Sequence, residues 1–574
     1  MPANLNFQVS GQSASALFSL KLHRGEGMTL IAMNWKNGKP SNDFVGFAIE
    51  YKEPGGEKFF PLKNRVSFPD SVGNVNPNKL STLLSPIQKF RWVHFPRNAN
   101  MLGLFTYRVS PVFMNIKGEL SYGEYQQASI ALMHDTYPGQ LNVSFTRGFV
   151  ASQAFVDFYQ ANGETIATLL PPKANQGSSF VPTHTKSNEA YQWMGFEARE
   201  KILEVLRNAV SDASAKVYIV AYDLNIPEMV NLLKKLKGRL KIIIDDDGTH
   251  GKAGAAENQA ADELSAILGA ANVKRQHMAK LQHNKTIIVE SPTLKTVVCG
   301  STNYSWRGFY VQANNAIILQ GQESVNVFKA AFNDYWLSND DVKTFSATNS
   351  ALWNDLKLTN IDAKVTFSPH DKNNAVLDSI ATDIASTKSS LFYSLAFLSM
   401  IKGKVRDAIT QVTNNQNLFV YGISDKKTGG FDLLKPDGNM APVFASALTK
   451  NLPEPFKTEA TGGIGTRMHH KFVVIDFDKP TARVYMGSYN FSDAADRSNG
   501  ENLLCIKDRK VATAYMIEAL RTFDHYHFRI ASAEAKSLGR KLMLAKPPTT
   551  AAAATWFDDD YTIAIKIKDR ELFA

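Results

Sequence analysis

Short segments in which hydrophobic and polar residues alternate recur through the first 150 positions. A period of two is typical of strands that bury one face, and turn-forming sequences such as Glu53-Pro54-Gly55-Gly56 separate the segments. Several short strands joined by turns predict an antiparallel β-sandwich over residues 1–150, an accessory domain with a binding or stabilising role. The predicted strands lie at 16–22, 44–51, 88–94, 104–113 and 141–145.

From about residue 190 the pattern changes to helices that alternate with buried strands. Helix, strand, helix and strand are predicted at 190–209, 216–222, 228–236 and 240–244, and again at 372–385, 391–397, 404–412 and 418–423. Such alternation predicts a largely parallel sheet covered by helices in each half. We therefore expect one α/β domain at 151–350, a second at 351–540, and a linker with a docked C-terminal tail at 541–574.

Both halves then reach the same short motif, a His-x-Lys sequence followed by Gly-Ser-x-Asn. His283 and His469 are 186 positions apart, and Gly300 and Gly487 are 187 apart. Near-constant offsets of this kind indicate a duplicated domain. The expected fold class is α/β, with two such domains related by pseudo-twofold symmetry and preceded by the β-sandwich.

Composition narrows the class of protein. The 574 residues are 44% hydrophobic and 21% charged, as in an ordinary soluble globular chain. The first residues lack the pattern of a secretory signal. The longest apolar stretch, 391–401, is far shorter than the roughly 20 residues that span a bilayer. A cytoplasmic location is the default expectation, with export that needs no cleaved signal as the alternative.

Charge and cysteine content add two constraints. The net charge of +10 favours an anionic partner such as a phosphate ester, a nucleic acid or an acidic lipid headgroup. Only two cysteines occur, Cys299 and Cys505, so a disulfide framework is not expected. Charge alone does not separate the anionic partners from one another.

The repeated motifs carry the candidate chemistry. Residues two apart on a strand project to the same face, so His283 should point with Lys285, and His469 with Lys471. Asn303 and Asn490 then follow at the ends of the next strands, each as an amide donor. Two imidazoles, two ammonium groups and two amides suit the charge of a phosphodiester. The motifs bring no carboxylate or cysteine cluster, so no metal site is predicted. The remaining members of the pattern are Ser301, Ser488 and Glu501.

The doubled pattern His-x-Lys-x4-Asp with Gly-Ser-x-Asn resembles the signature of the phospholipase D superfamily. The resemblance covers roughly residues 190–530, and the second copy, with Asp476 and Glu501, fits it well. The first copy departs in two places. Glu290 replaces the Asp, and Asn314 stands where the second half has Glu501.

The resemblance implies a phosphohistidine mechanism without metal or cofactor. One histidine attacks phosphorus, and the other protonates the departing alcohol and then deprotonates water. By analogy with two-motif relatives, His283 is the expected nucleophile and His469 the general acid/base, although the residues do not force that order. Glu501 is expected to orient His469 and raise its pKa. The other implied roles are phosphate binding for Lys285, Lys471, Asn303 and Asn490, weaker substrate contacts for Ser301 and Ser488, and structural support for Glu290, Asp476 and Asn314.

Three further histidines have plainer interpretations. His470 should project away from His469 and pack or hydrogen-bond inside the fold. His250 follows the acidic sequence Asp245-Asp246-Asp247-Gly248, and a turn explains it better than a metal site. His370 begins the second half, where a turn role is favoured over a place at the pocket mouth.

The substrate stays open between classes. A phospholipid is favoured because no long basic tract or aromatic stacking platform is evident, and the sandwich could then make peripheral membrane contact. A metal-independent nuclease is the alternative, since the Asn-Phe-Ser and Asn-x-Glu-Asn details resemble nuclease-like members. A non-catalytic binding module is the third reading. The loops 429–434 and 460–464 could serve a lipid or a nucleic acid.

Overall fold

Two antiparallel sheets that share one core form the N-terminal part of the chain in the computed structural model. The structure describes residues 6–132, 135–148, 158–159, 164–165, 168–424, 443–444, 468–539, 541–550 and 553–574. The first sheet has the order β1-β2-β3-β6, and the second β5-β4-β7-β8 with β9 also on β7. The strands are β1 Gln8–Ser10, β2 Phe18–Gly25, β3 Met28–Trp35, β4 Phe44–Lys52, β5 Phe60–Pro61, β6 Arg91–His94, β7 Leu104–Met114, β8 Leu120–Tyr122 and β9 Gln126–Ala131.

Alternation explains how the two sheets meet. Phe105, Tyr107 and Val109 of β7 are buried together with Phe18 and Leu20 of β2 in one cluster. Because successive strand residues face opposite ways, every second residue of β7 reaches this core. The predicted antiparallel sheets are therefore present.

One predicted sandwich strand belongs elsewhere. Leu141–Phe145 (β10) pairs with Asn315–Gln320 (β16) and so joins the first α/β sheet. All five residues of β10 are buried. A short strand buried on both faces does not reveal from sequence which sheet it completes, and its assignment to the sandwich was wrong.

The two α/β halves have sheets of matching strand order. The first sheet runs β10-β16-β15-β14-β11-β12-β13 and the second β17-β18-β24-β23-β22-β19-β20-β21. Besides β10 and β16, the sheet of the first α/β half contains β11 Lys216–Ala221, β12 Leu240–Ile244, β13 Val273–Arg275, β14 Lys285–Glu290 and β15 Lys295–Gly300. The second contains β17 Asn354–Asp355, β18 Asp362–Ser368, β19 Ser390–Leu395, β20 Phe419–Ser424, β21 Val443–Phe444, β22 Lys471–Ile475, β23 Arg483–Gly487 and β24 Glu501–Lys507.

The prediction of largely parallel sheets was wrong. Among the described strands, only the pairs β11–β12, β12–β13, β19–β20 and β20–β21 are parallel. The strands that carry and follow each motif, β14 to β16 and β22 to β24, pair antiparallel. A tight turn such as 291–294 reverses the chain, and strands joined in that way can only run antiparallel.

The helices cover these sheets close to the predicted positions. One large buried cluster contains side chains of both sheets and of the helices at 322–338 and 509–537, so the two halves share a core. The α-helices are α1 Ser187–Ser211, α2 Pro227–Leu236, α3 Ala256–Leu268, α4 Gln322–Ser338, α5 Val342–Ser346, α6 Val376–Ala385, α7 Lys404–Thr413, α8 Asp493–Arg497, α9 Arg509–Ser537, α10 Asp559–Thr562 and α11 Ala564–Leu572. None of the helices that the structure describes is long and apolar enough to cross a bilayer.

The C-terminal tail lies on the sandwich. The indole Nε1 of Trp556 donates to the carbonyl of Phe44 at 3.0 Å, and Phe557 is fully buried in the sandwich core. Phe573 is buried in the core that the two halves share. The tail therefore connects the N-terminal sheets to the second half, whereas the domain boundaries at 150, 350 and 540 stay predictions.

Candidate active site

The two motif histidines lie beside each other where the halves meet. His283 and His469 each precede the first residue of a strand, Lys285 of β14 or Lys471 of β22, by two positions. Their ring centroids are 6.5 Å apart, with the ring planes at 71°. Each histidine is only 4% exposed. The two motifs thus meet in one pocket, although both histidines lie just outside the strands on which they were predicted.

Each histidine is positioned by backbone from the opposite half. The N–H of His469 donates to the carbonyl of Ala313 at 3.0 Å. Reciprocally, the N–H of Gly500 donates to the carbonyl of Leu281 at 2.8 Å. The segment before each motif is therefore held by the segment that leads into the last sheet strand of the other half.

The same crossing governs the partners of the imidazoles. Nδ1 of His283 lies 2.7 Å from Oε2 of Glu501, and Nδ1 of His469 lies 2.9 Å from Oδ1 of Asn314. The prediction that Glu501 orients His469 was wrong. Glu501 and Asn314 do occupy equivalent positions, but each faces the histidine of the other half. A partner on Nδ1 leaves Nε2 of His283 available to the pocket, whereas Nε2 of His469 lies 3.1 Å from Nζ of Lys471.

Burial and neighbouring cations set the histidine pKa values. Burial lowers the pKa of His283 and of His469 well below the ordinary value, and Lys285 and Lys471 lower both further. The predicted rise for His469 was therefore wrong in the protein without substrate. Burial raises the pKa of Glu501 to about 7. Burial thus disfavours the charged forms of both members of this pair.

The two lysines are buried beside the motif histidines. Nζ of Lys471 lies 3.1 Å from Nε2 and 2.9 Å from the carbonyl of His469, and Nζ of Lys285 donates to the carbonyl of His283. Burial lowers the pKa of Lys285 to about 7 and that of Lys471 well below its ordinary value. An anion in the pocket would favour the charged form of both amines.

The motif asparagines have free hydrogen-bonding capacity. Nδ2 of Asn303 donates to Oδ2 of Asp223 at 2.7 Å, which leaves its second amide hydrogen for another acceptor. Oδ1 of Asn303 and Oδ1 of Asn490 are buried without a hydrogen-bond partner among the described residues. Polar atoms in this state are what a bound polar ligand would satisfy.

The motif serines are engaged within the protein. Oγ of Ser301 donates to Oδ1 of Asn314 at 3.0 Å, and Ser488 is hydrogen-bonded to Glu501. Each serine therefore holds the residue that orients the histidine of the opposite half. This geometry gives both a positioning role, and their substrate contacts stay a prediction.

The predicted support residues differ in their surroundings. Asp476 is 1% exposed and accepts hydrogen bonds from the backbone N–H groups of Lys388 and Ser389, which precede β19. Glu290 pairs with Lys329 at 2.6 Å nearer the surface. The longer glutamate thus reaches a helix side chain instead of the start of a neighbouring strand.

The other histidines are bound within the fold. Nε2 of His470 lies 2.8 Å from Oε1 of Glu518, away from the pocket. His370 contacts Asp496 at 2.8 Å through Nδ1 and Thr366 at 2.8 Å through Nε2. The packed interpretation of His470 is confirmed, and His370 joins β18 to α8. The loops 429–434 and 460–464 lie outside the described residues.

Sequence reasoning missed an aromatic wall and two carboxylates beside His283. The ring of Tyr222 lies 4.6 Å from that of His283 and also 4.6 Å from that of His250. Asp223 and Asp245 contact His250 at 3.3 Å and 2.7 Å. Their positions directly after β11 and β12 were the available signal, because strand ends converge at one edge of a sheet.

The described residues contain one group with the spacing of metal ligands, Asp223, His250 and Glu257, whose ligand atoms lie within 4.8 Å of one another. Both ring nitrogens of His250 already face carboxylates. Burial alone would lower the pKa of His250, but the bonds to Asp223 and Asp245 outweigh it and raise the pKa to about 10. In this geometry a protonated ring can bridge Asp223 and Asp245.

Comparison with known proteins supplies the context for this pocket. The family model described as cardiolipin synthase, PLD-like domain, matches residues 206–336 and 380–522. Phospholipases D from Rickettsia felis (strain ATCC VR-1525 / URRWXCal2) and Rickettsia prowazekii (strain Madrid E) are each 44% identical over 48 residues, or 8% of this chain. The chain spans only 22% of the length of these curated relatives.

Similar solved structures share less sequence. The phosphatidylserine synthase of Haemophilus influenzae Rd KW20 is 15% identical, with a TM-score of 0.41 over 58% of this chain and 85% of that one. The phospholipase D family member Nuc from Salmonella typhimurium is 24% identical, with a TM-score of 0.20 over 24% of this chain and 86% of that one.

Proposed function

The chain belongs to the phospholipase D superfamily, and from that premise we propose that it cleaves phosphodiesters through a covalent phosphohistidine, with phospholipids as the leading substrate. The observation that carries the proposal is the pair of buried imidazoles, 6.5 Å apart, each with Nδ1 bound by a residue of the other half. An attacking group and a proton donor on opposite sides of one phosphorus need this arrangement.

In the first step Nε2 of His283 attacks phosphorus. The P–N bond forms as the P–O bond to the leaving alcohol breaks, and that oxygen takes its proton from Nε2 of His469. The Nδ1–H of His283 donates to Glu501 throughout, so the positive charge that develops on the ring faces a carboxylate. The low pKa of His283 suits this role because the nucleophile must be neutral.

In the second step His469 removes a proton from water. The water oxygen attacks phosphorus, the P–N bond breaks, and His283 returns to its neutral form. His469 must hold a proton in the first step although its pKa is lowered in the protein alone. A bound phosphodiester anion offsets the charge of Lys285 and Lys471, and this raises the pKa of His469 when the proton is needed.

The surrounding donors are suited to the phosphoryl oxygens. Lys285, Lys471, Asn303 and Asn490 are the proposed ligands of the two non-bridging oxygens, whose charge grows in the transition state. Preorganised donors of this kind, held in a buried pocket, act without the reorganisation that water would require.

We also propose that the two α/β halves are related by a pseudo-twofold axis between the histidines. The matching strand orders and the reciprocal bonds of the halves support this relation. Each half then supplies one reacting imidazole and orients that of the other half.

Phospholipid is the proposed substrate because the matching family model is described as a cardiolipin synthase domain. A nuclease is the second candidate, favoured by the Asn-Phe-Ser sequence at 490–492 and the Asn-x-Glu-Asn sequence at 499–502. An alcohol in place of water could also accept the phosphoryl group in the second step, and the reaction would then be a transfer instead of a hydrolysis.

The test is hydrolysis of bis-p-nitrophenyl phosphate in EDTA by the wild type and by His283→Ala and His469→Ala. Loss of general acid–base or nucleophilic chemistry should reduce kcat by at least about 10²- to 10⁴-fold. His277→Ala is the matched control, since His277 lies at the surface in a single ion pair with Asp246. Retained activity in either pocket variant would refute the two-histidine mechanism.

Competition separates the substrate classes. Phosphatidylcholine vesicles should inhibit hydrolysis of the small substrate and release choline, while single-stranded DNA should not compete. The opposite order would transfer the proposal to a nuclease. A wild type inert toward all three substrates would favour the binding module.

A further inference from the structure

A chain of hydrogen bonds runs behind the first half of the pocket and is not used in the proposed mechanism. It begins at the backbone N–H of Gln282, beside His283, which donates to Oδ1 of Asp245 at 2.6 Å. The other carboxylate oxygen, Oδ2, lies 2.7 Å from Nδ1 of His250. Asp245 is fully buried, so it is a fixed anchor rather than a surface acid.

The series of hydrogen bonds continues from His250 to Asn303, one of the proposed phosphate ligands. Nε2 of His250 lies 3.3 Å from Oδ1 of Asp223. Oδ2 of Asp223 accepts hydrogen bonds from Nδ2 of Asn303 at 2.7 Å and from Oγ of Ser305 at 3.2 Å. A single imidazole therefore joins the backbone next to His283 to the amide of Asn303.

Tyr222 lies between His250 and His283. Its ring lies 4.6 Å from the rings of both His250 and His283, and Nζ of Lys285 lies 4.6 Å from its centroid. The bridge is thus one side chain away from the imidazole of His283.

Charged groups surround His250 and determine its protonation state. The carboxylates of Asp223, Asp245 and Glu257 face it, and Arg275 donates to the carbonyl of His250 at 3.0 Å. The cations nearest to Asp223 besides His250 are Lys285 and Arg307. Three clustered carboxylates in a partly buried site require a cation between them, because their mutual repulsion would otherwise separate them.

The second half has no such bridge among its described residues. The strand register places Ala221 opposite Lys285 and Leu395 opposite Lys471, so the counterpart of Asp223 is Phe397. The ring of Phe397 lies 6.2 Å from that of His469. An apolar wall thus replaces the charged bridge beside the second histidine.

We propose that His250 is a positioning residue for the first half-site: as an imidazolium that bridges Asp223 and Asp245, it fixes Asn303 and the backbone before His283 for binding of the phosphoryl group. The proposal rests on the proposed function of the pocket. His250 touches no reacting atom, and it acts through the two carboxylates that it holds together.

The first experiment compares His250→Gln, which cannot supply a cation, with His250→Arg, which can bridge two carboxylates. In His250→Gln, kcat/KM for bis-p-nitrophenyl phosphate in EDTA should fall about 10- to 100-fold, the equivalent of one charge-assisted hydrogen bond. His250→Arg should recover to within about fivefold of the wild type. His277→Gln, which removes a surface histidine with one carboxylate partner, should match the wild type.

Two measurements keep the test independent of turnover. The ¹⁵N spectrum of histidine-labelled protein should show both ring nitrogens of His250 protonated at pH 8, with the signal identified by its loss in His250→Gln. Calorimetric titration with inorganic phosphate should show affinity in the order wild type, His250→Arg, His250→Gln. If this order holds while the wild type hydrolyses no phosphodiester, the bridge stands and the proposed function fails.

Four results would overturn the proposal. His250→Gln could equal the wild type in both turnover and phosphate affinity, or His250→Arg could lose as much as His250→Gln, which would reduce His250 to a packing residue. A neutral His250 at pH 8, or stoichiometric Zn²⁺ binding that His250→Gln abolishes, would show that no imidazolium forms the bridge.

Discussion

The two halves of the pocket present the same reacting groups in different surroundings. His283 is backed by the carboxylate of Glu501, an aromatic wall at Tyr222 and the charged bridge through His250. His469 is backed by the amide of Asn314 and the apolar ring of Phe397. The two motifs thus share a histidine, a lysine and an asparagine, while the residues behind them differ.

Such a difference in surroundings suits two similar motifs to two different roles. A nucleophilic imidazole carries positive charge once it is bonded to phosphorus, and a carboxylate on Nδ1 stabilises that charge. A general acid/base must release and regain a proton in one turnover, and a neutral amide lets its pKa follow the charge in the pocket. The surroundings therefore favour His283 as nucleophile and His469 as acid/base.

The largest expected effect comes from changing the side chain that faces Nδ1 of each histidine, so that the two surroundings become alike. Glu501→Gln should lower kcat/KM by about 10²- to 10⁴-fold, because the developing imidazolium of His283 loses its counter-charge. Asn314→Asp should cost less than about tenfold, since His469 keeps an acceptor on Nδ1. Steady-state kinetics in EDTA provides the comparison, with Glu290→Gln as the control for loss of a carboxylate near the surface. Equal losses in the two pocket variants would contradict the division of roles.

The pH dependence should report the buried charges of the same half. As pH rises through about 7, Lys285 loses its proton and its attraction for phosphate, so kcat/KM should fall about tenfold per unit. As pH falls through about 7, Glu501 is protonated and no longer supports His283, so kcat/KM should fall there also. When kcat/KM is measured from pH 5.5 to 9, we expect a narrow bell-shaped profile with its maximum near pH 7.

Two variants assign the limbs of that profile. Lys285→Arg keeps its charge above pH 12 and should remove the alkaline limb. Glu501→Gln should remove the acid limb from whatever activity remains. A wild-type profile that is flat from pH 6 to 9 would show that neither group titrates where its burial places it.

The lysines should differ in their effect on stability. Lys471 is 1% exposed and has no carboxylate partner within hydrogen-bonding distance among the described residues. Lys471→Met should therefore abolish activity yet raise the free energy of unfolding by about 1–3 kcal/mol. Chemical denaturation checks this, and Lys285→Met should gain less, because Lys285 has Asp245 nearby in addition to the Glu501 and Asp223 that act on both lysines. Destabilisation by Lys471→Met would show that the buried amine is well compensated in the folded protein.

The smallest expected effect separates the two serines. Ser488 holds a carboxylate and Ser301 an amide, and a hydrogen bond to a charged group contributes about twice as much as one between neutral groups. Ser488→Ala should lower kcat/KM about tenfold, and Ser301→Ala about threefold. KM should change little in both if the serines only position other groups, whereas a rise in KM alone would restore their predicted contact with substrate.

The sequence predicted the parts of the molecule that local patterns determine. Strand β12 has the bounds that its apolar run indicated, and both motifs reach one pocket as their doubling implied. Strand β3 was missed because it does not alternate. Met28, Leu30 and Ala32 pack into the core of the α/β halves, while Ile31 and Met33 pack into the sandwich, so both faces are apolar.

Relations across the two halves could not be predicted. The equivalence of Glu501 and Asn314 was visible from their offsets, but the crossing of each to the opposite histidine depends on how the sheets meet. The bridge at His250 joins residues after three different strands, and its acidic neighbours resembled an ordinary turn. Such contacts depend on tertiary pairing between distant segments, which the hydrophobic periodicity of one segment does not predict.

The most direct test of the central claim is to locate the covalent intermediate. Enzyme mixed with a ³²P-labelled phosphodiester should be quenched in alkali, where phosphohistidine survives, and its peptides mapped by mass spectrometry. We predict that the label lies on His283 in the wild type and accumulates there in His469→Gln, which cannot activate water. Label on His469, or label that persists in His283→Ala, would contradict the account.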